Sequence, residues 1–126
     1  MAVRAIRGAT QLEIDDAEHL LERTRELLDE LVGANGLALD DFISVIFTAT
    51  GDLHSAFPAV AARQLGFTEV PLLCTRELDV AGSLPLTVRV MAHVETDKPR
   101  DAIKHVYLHG AAVLRPDIAN RVTGDE

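Results

Sequence analysis

The stretch Phe42-Ile-Ser-Val-Ile-Phe-Thr-Ala-Thr50 is apolar on both of its alternating faces. This pattern is typical of a strand that lies inside a sheet and is covered on both sides. A long strand is predicted over Leu86–Glu95, and shorter ones over Ala2–Ala9, Val70–Leu73 and about Lys104–Leu108. Strands before and after the central stretch indicate that the sheet is assembled from distant parts of the chain.

Two helices are predicted between these strands. Apolar residues recur with helical spacing over residues 17–32, directly after Asp15-x-x-Glu18, an acidic version of a capping box. A glycine at position 33 or 36 ends this helix, because glycine adopts the left-handed conformation of helix C-termini at little cost. A shorter helix is predicted over residues 58–66, from a proline to a glycine.

This order of elements predicts an α/β (α+β) fold with a mixed β-sheet and two main helices packed on one face. With 126 residues, the chain is expected to form a single domain, residues 1–126, with a flexible tail over about residues 119–126. Two helices cannot cover both faces of so apolar a sheet. We therefore expect the bare face to be buried by self-association.

Composition excludes several classes of function. The formal net charge of −8 argues against nucleic acid and against an anionic membrane surface, since both select clustered Lys and Arg. The apolar runs are far shorter than the roughly 20 residues of a spanning helix, and no signal peptide is evident. A single cysteine, Cys74, cannot form an internal disulfide and fits a reducing cytoplasm. No Cys/His cluster indicates a metal, and no phosphate-binding or dinucleotide motif is present.

Two arginines stand among the apolar residues of the predicted strands. Because side chains alternate along a strand, Arg7 shares a face with Val3 and Ala5. Arg89 shares its face with Met91. A guanidinium is always charged and is costly to desolvate without a partner. These arginines therefore need anionic partners, which are either carboxylates of this chain or a small anionic ligand.

The other candidate residues are mostly hydrogen-bond donors, and Glu77 is the one acceptor among them. Cys74 and Glu77 stand where the third predicted strand leaves the sheet, a common place for ligand groups. Arg63 lies on the second helix, Tyr107 in the last strand, and Arg115 after the apolar stretch that follows it. The set contains no usual pair of nucleophile and base.

Each of these residues also has a purely structural interpretation. Cys74 alone is typical of a small buried hydrophobe, and Tyr107 alternates with core residues. His105, beside Tyr107, is expected to be structural. Ser55 and Thr48 lack a partner pattern for hydrolytic chemistry.

Five collinear segments resemble the monofunctional chorismate mutases of the AroH type. The resemblance runs from about residue 2 to residue 118, in order and without large gaps. The segments are Arg4-Ala-Ile-Arg-Gly-Ala-Thr10, Asp52-Leu-His-Ser-Ala-Phe-Pro-Ala59, Val70-Pro-Leu-Leu-Cys74 with Glu77, Arg89-Val-Met91, and His105-Val-Tyr-Leu108 followed by Val113-Leu-Arg-Pro-Asp117.

The resemblance implies a catalytic role for Arg89, Glu77 and Arg7. Arg7 and Tyr107 would bind the carboxylate of the enolpyruvyl side chain. Arg89 would lie against the ether oxygen of the breaking bond. Glu77 would accept a hydrogen bond from the ring hydroxyl, with Cys74 beside it.

The same resemblance implies a homotrimer whose sheets pack together and whose active sites lie at the subunit interfaces. Phe57 and Arg63 would come from the neighbouring chain, and Arg115 and the tail would close the mouth of the site. Position 60 is Val, where relatives can have a basic residue, so the resemblance implies that one rim contact is either missing or supplied by another arginine. The implied substrate-binding set is completed by Leu73, Thr75 and Arg76.

The implied reaction is the conversion of chorismate to prephenate in aromatic amino acid biosynthesis, without metal or cofactor. It is an intramolecular [3,3] rearrangement, so the enzyme holds a chair-like conformer and stabilises charge as the C–O bond breaks. Two alternatives stay open. One is a non-catalytic trimeric module that binds small anions, and the other is an enamine/imine deaminase, whose signature segments are not evident in this sequence.

Overall fold

The computed structural model describes residues Met1–Leu114. Its helices are α1 and α2, and its strands are β1 to β5 in chain order. Their bounds are β1 Ala2–Gln11, α1 Ala17–Asn35, β2 Phe42–Ala49, α2 Pro58–Gln64, β3 Leu72–Arg76, β4 Thr87–Thr96 and β5 Val106–Leu108, with short 3-10 helices at Leu39–Asp41, Arg100–Ala102 and His109–Leu114. The predicted mixed α+β architecture is confirmed.

The five strands form one mixed sheet in the order β3-β2-β4-β1-β5. The long strand β4 is in the middle and pairs antiparallel with β1 and with β2. The outer pairings, β2 with β3 and β1 with β5, are parallel. A parallel pair needs a crossover connection. The chain between β2 and β3 provides one that contains α2.

One face of the sheet is packed against the helices. In the register of the sheet, Ala92 of β4 has Ile6 of β1 and Val45 of β2 as its neighbours. The same alternation places Val90 beside Phe47. These side chains and the buried leucines of α1 belong to a single hydrophobic cluster, so the core lies between this face and the helices.

Helix α1 begins one residue later than the sequence pattern predicts. Its N-cap is Asp16, whose carboxylate accepts from the backbone N–H of His19. Asp15 instead accepts from the backbone N–H groups of His54 and Ser55. The predicted capping role of Asp15 is therefore wrong, because this carboxylate ties the start of α1 to the loop before α2. The predicted stop is confirmed: the C-cap is Gly36, with φ of 61°.

Strands β3 and β5 begin two residues later than the sequence predicts. The third strand was expected over residues 70–73 but runs from Leu72 to Arg76, after Pro71, which lacks the N–H of a ladder residue. The last strand was expected from about residue 104 but begins at Val106. The buried side chain of Asn35 explains this later start, because it pairs with both the N–H and the C=O of Lys104.

The other face of the sheet has no helix on it among the described residues. It exposes large apolar side chains, with Val3 57% and Leu73 59% accessible. Arg7 and Arg89 alternate with the core residues of β1 and β4 and so lie on this bare face. Within residues 1–114, no helix is long and apolar enough to cross a membrane.

Candidate active site

Strand register brings the predicted site residues together on the bare face. Arg89 of β4 lies opposite Ala9 of β1 on one side and Thr48 of β2 on the other. Ala9 in turn lies beside Tyr107 of β5. The phenol and the guanidinium therefore stand in one row across the sheet, although 18 positions separate them in the sequence.

Arg7 occupies the next row of the same face. It lies opposite Met91, and Met91 lies opposite Ile46 of β2. The alternation that the sequence predicts for Arg7 and Arg89 is therefore confirmed. Both side chains are half-buried.

These rows enclose a cavity of about 230 Å³. Two arginines, one carboxylate and one phenol line it, and its floor is apolar. The lining residues are Arg7, Gly8, Ile46, Thr48, Glu77, Arg89, Val90, Met91 and Tyr107. The strongest sequence candidates thus share one cavity, which is called the arginine cavity below. Ile46, Thr48 and Met91 were not predicted as site residues. Met91 stands two positions after Arg89 on β4, so alternation along the strand is a signal that could have found it, whereas Ile46 and Thr48 lie on β2 and reach the cavity only through the sheet register.

Glu77 supplies the carboxylate among the described residues that line this cavity. Its Oε2 lies 3.3 Å from Nε of Arg89, and each side chain is about a quarter exposed, 23% and 25% respectively. The same oxygen accepts a hydrogen bond from the hydroxyl of Thr48. The backbone N–H of Glu77 donates to the carbonyl of Ala49 at 3.0 Å. Glu77 follows the end of β3, and hydrogen bonds therefore fix both its backbone and its carboxylate.

Arg7 is supported by the residue that precedes β5. Its backbone N–H donates to Nδ1 of His105 over 3.0 Å, so the imidazole presents a lone pair there and carries no proton on that nitrogen. Partial burial, and then the nearby charge of Arg7, lower the pKa of His105 below its ordinary value. Both effects favour the neutral ring that this hydrogen bond requires.

Cys74 and Phe57 lie in a different cavity of the same chain. Cys74 pairs with Phe47 in the sheet, so its side chain is on the helix side, opposite to the arginines. With the loop before α2 it lines a cavity of about 480 Å³ that also includes Phe57, Ser55 and Thr75. Phe57 is 70% exposed. A substrate contact for either residue stays a prediction.

The remaining predicted residues are outside the arginine cavity. Arg63 is exposed on α2, while Leu73 and Thr75 are exposed on β3, on the face that carries Arg89. Arg76, at the end of β3, lines the Cys74 cavity. Arg115 and the tail lie outside the described residues. Nothing among residues 1–114 groups three or more His, Cys, Asp or Glu side chains in a way that could hold a metal ion.

The arrangement suits the binding of a small, multiply charged anion that also carries a hydroxyl group. Two guanidiniums and a phenol supply hydrogen-bond donors, and guanidinium matches carboxylate geometry well. The carboxylate of Glu77 supplies an acceptor on the same wall. The part of the chain that the structure describes places no cysteine, serine or lysine in this cavity to act as a nucleophile.

Comparisons with known proteins agree with this chemistry. Residues 3–118 match the family model described as chorismate mutase type I. The chain is 45% identical over 120 residues to a chorismate mutase AroH of Bacillus subtilis (strain 168), covering 94% of both chains. It is 52% identical over 117 residues to a chorismate mutase AroH of Thermus thermophilus, covering 92% of this chain and 96% of the relative.

A solved structure is similar over most of its length. The chorismate mutase from Clostridium thermocellum superposes with a TM-score of 0.86 at 53% identity, over 86% of this chain and 97% of that one. The family match spans nearly all of the described residues and includes every residue of the arginine cavity. The chain therefore belongs to the type I chorismate mutase family.

Proposed function

We propose that this protein is a chorismate mutase that converts chorismate to prephenate for aromatic amino acid biosynthesis. The observation that carries the proposal is the shared cavity of Arg7, Arg89, Tyr107 and Glu77 in a chain of this family. Three donors and one acceptor match a substrate with two carboxylates, an ether oxygen and a ring hydroxyl.

The reaction is intramolecular, so no nucleophile or general base is required. Chorismate is flexible, and it reacts only from a conformer in which its enolpyruvyl side chain lies over the ring. Arg7 and Tyr107 bind the carboxylate of that side chain and hold it there. Positioning of this kind removes an entropic part of the barrier before the bond breaks.

Arg89 stabilises the charge that develops on the ether oxygen as the C–O bond breaks. A fixed donor at such an oxygen is typically worth roughly 3–4 kcal/mol. Glu77, 3.3 Å from Nε of Arg89, fixes the orientation of the guanidinium and accepts from the ring hydroxyl. Arg89 lies within β4, and Glu77 is bonded to β2 through its backbone N–H and its carboxylate, so little reorganisation accompanies the reaction.

The complete site is formed in a homotrimer with sheets packed together. Two observations support this assembly. The bare face exposes Val3 and Leu73, as expected of a surface that another subunit covers. Phe57 and Arg63 lie on or beside α2 and do not line the arginine cavity of their own chain, so they contribute to a site only if another subunit presents them.

The direct test is the loss of chorismate absorbance with purified protein in EDTA, together with identification of prephenate as the product. Rapid conversion supports the proposal. A folded protein that binds chorismate or prephenate but turns nothing over would identify a non-catalytic anion-binding module. Deamination of enamine or imine substrates without mutase activity would favour the deaminase alternative.

Subunit sharing is tested by mixing two inactive variants. Arg89→Ala and Arg63→Ala homotrimers are unfolded together and refolded, and the mixture is assayed. If the two residues come from different subunits, some interfaces in mixed trimers regain both arginines, and activity exceeds that of either parent. If both come from one subunit, each site lacks one of them and no activity is recovered.

A further inference from the structure

We propose that Thr48 is a positioning residue that sets the orientation of Glu77 and, through it, of Arg89. The inference rests on the proposed function. It gives a role to Thr48, which the sequence does not mark as a nucleophile of hydrolytic chemistry. Thr48 lies on β2, which pairs on one side with β4 and on the other with β3. It is therefore placed between Arg89 and the strand that leads to Glu77.

The contacts converge on one oxygen. The Thr48 hydroxyl and Nε of Arg89 both approach Oε2 of Glu77, the latter at 3.3 Å. Neither contact uses Oε1. Since a carboxylate accepts at both oxygens, this arrangement keeps Oε1 for a hydroxyl of the ligand while Oε2 is occupied by the protein.

The hydroxyl of Thr48 matters because Glu77 is not itself within a strand. The residue follows Arg76, where β3 ends, and is anchored to β2 by its N–H on the Ala49 carbonyl. That bond fixes the backbone but leaves the side-chain torsions free. Thr48 precedes Ala49 in β2, and its hydroxyl donates to the carboxylate of Glu77. This hydrogen bond selects one of the several rotamers that an unrestrained Glu side chain could adopt.

The effect is on catalysis more than on affinity. Arg7 and Tyr107 stand on β1 and β5, whereas Thr48 is paired with Arg89 and Thr75, so we expect the carboxylate of the substrate to be bound still when the Thr48 hydroxyl is absent. What is lost is the fixed direction of the Glu77 acceptor and of the Arg89 donor. Both act on groups that must be aligned as the bond breaks.

The test compares Thr48→Val with Thr48→Ser. Valine keeps the β-branched shape that suits a strand but has no hydroxyl, whereas serine keeps the hydroxyl. We expect Thr48→Val to lower kcat about tenfold with KM changed less than about threefold, the loss expected for one hydrogen bond to a charged group. Thr48→Ser should recover most of that loss.

A double-mutant cycle separates positioning from a general structural effect. In a Glu77→Ala background, Thr48→Val should change kcat less than about twofold, because the hydroxyl then has no carboxylate to hold. Ser44→Ala is the matched control: it removes another hydroxyl of β2, one that contacts His93. It should leave kcat at the wild-type value.

The outcomes are distinguishable. Wild-type protein without mutase activity would overturn the proposed function and this inference with it. Active wild type with an equally active Thr48→Val would overturn the Thr48 inference alone, as would equal losses in the Val and Ser variants or a full tenfold loss in the Glu77→Ala background. If Thr48→Val fails to fold, Thr48→Ala against Thr48→Ser repeats the comparison.

Discussion

Nε of Arg89 lies 3.3 Å from Oε2 of Glu77, and the two residues come from opposite sides of β2 in the sheet. Each side chain remains about a quarter exposed, 25% for Arg89 and 23% for Glu77. The pair therefore lies at the wall of the cavity, where a ligand can reach it, and is not sealed in the core. The structure thus resolves the choice that the sequence left open for Arg89: it has an internal carboxylate as a partner and is also accessible to a ligand.

The first prediction concerns Glu77, whose role is to accept a hydrogen bond. Glu77→Gln keeps an acceptor oxygen and should retain a substantial part of kcat/KM. Glu77→Ala removes the acceptor and should lower kcat/KM roughly tenfold to hundredfold, the range for one hydrogen bond to a charged group. Steady-state kinetics of the two variants decide the matter. If Gln were as inactive as Ala, an acceptor oxygen alone would not account for the role of Glu77, and its negative charge beside Arg89 would have to be the essential property.

The second prediction concerns the pH dependence of turnover. No side chain transfers a proton in the rearrangement, so kcat should be nearly constant between about pH 6 and pH 8. Saturating kinetics across that range, in buffers of constant ionic strength, provide the measurement. A steep bell-shaped profile for the chemical step would contradict the mechanism.

The third prediction concerns stability and His105. Partial burial and the charge of Arg7 lower the pKa of this imidazole below its ordinary value of 6.5, so between the two pKa values the unfolded chain binds more protons than the folded one. Stability should therefore be fully present above about pH 6.5 and decline as the pH falls toward the folded pKa of His105.

The His105→Asn variant isolates this effect. Asparagine can accept from the N–H of Arg7, as Nδ1 of the histidine does, but it does not titrate. Urea unfolding at pH 7.5 and pH 5 should show a smaller loss of stability in the variant than in the wild type. The carboxylates are common to both proteins, so their contribution cancels in the comparison. An equal loss in both would show that His105 does not carry this dependence.

The fourth prediction concerns Gly8, which lines the arginine cavity. A Cβ at this position would lie 2.9 Å from the carbonyl oxygen of Val106, 3.1 Å from Val90 Cγ1 and 3.2 Å from Leu27 Cδ1. The first contact is with backbone and cannot be relieved by a change of rotamer. Gly8→Ala should therefore destabilise the fold by about 1–3 kcal/mol, and by moving β5 it should displace Tyr107 and raise KM.

A matched glycine substitution serves as the control. A methyl group added at Gly33, in α1, would have no neighbouring atom within 4 Å outside its own helix backbone, so Gly33→Ala should stabilise the helix by roughly 0.5–1 kcal/mol. Thermal unfolding of both variants provides the comparison. A Gly8→Ala protein as stable as wild type would show that β5 is not held as closely as the structure indicates.

Local patterns predict the parts of this fold that depend on local physics. Alternation along a strand placed Arg7 with Val3 and Ala5, and Arg89 with Met91, while proline, glycine and helical spacing located both helices. That the two arginines share one face depends on the pairing of β1 with β4. The pattern failed at Asp15, where the choice between two adjacent aspartates depends on a contact with His54 and Ser55 about 40 positions away. The predicted start of β5 is wrong for the same reason, because it depends on the distant side chain of Asn35, which pairs with the backbone of Lys104.

The sequence identified most of the residues of the candidate site, but it did not predict how they are arranged in space. The resemblance to the family singled out Arg7, Glu77, Arg89 and Tyr107, which the structure brings into one cavity. It gave no role to Thr48, because the register that places this residue beside Arg89 is a property of the assembled sheet. How Phe57 and Arg63 reach the cavity depends on subunit packing and stays a prediction.

The central claim is that the cation of Arg89 acts on the breaking C–O bond. The most direct test is kcat at saturating chorismate for wild type, Arg89→Lys and Arg89→Gln, with binding of prephenate measured on each folded variant. Arg89→Gln should retain measurable binding and lose kcat by roughly a hundredfold to a thousandfold, with Arg89→Lys between it and the wild type. A kcat for Arg89→Gln within about threefold of wild type would contradict the claim, because the chemical step would then proceed without a cation at the ether oxygen.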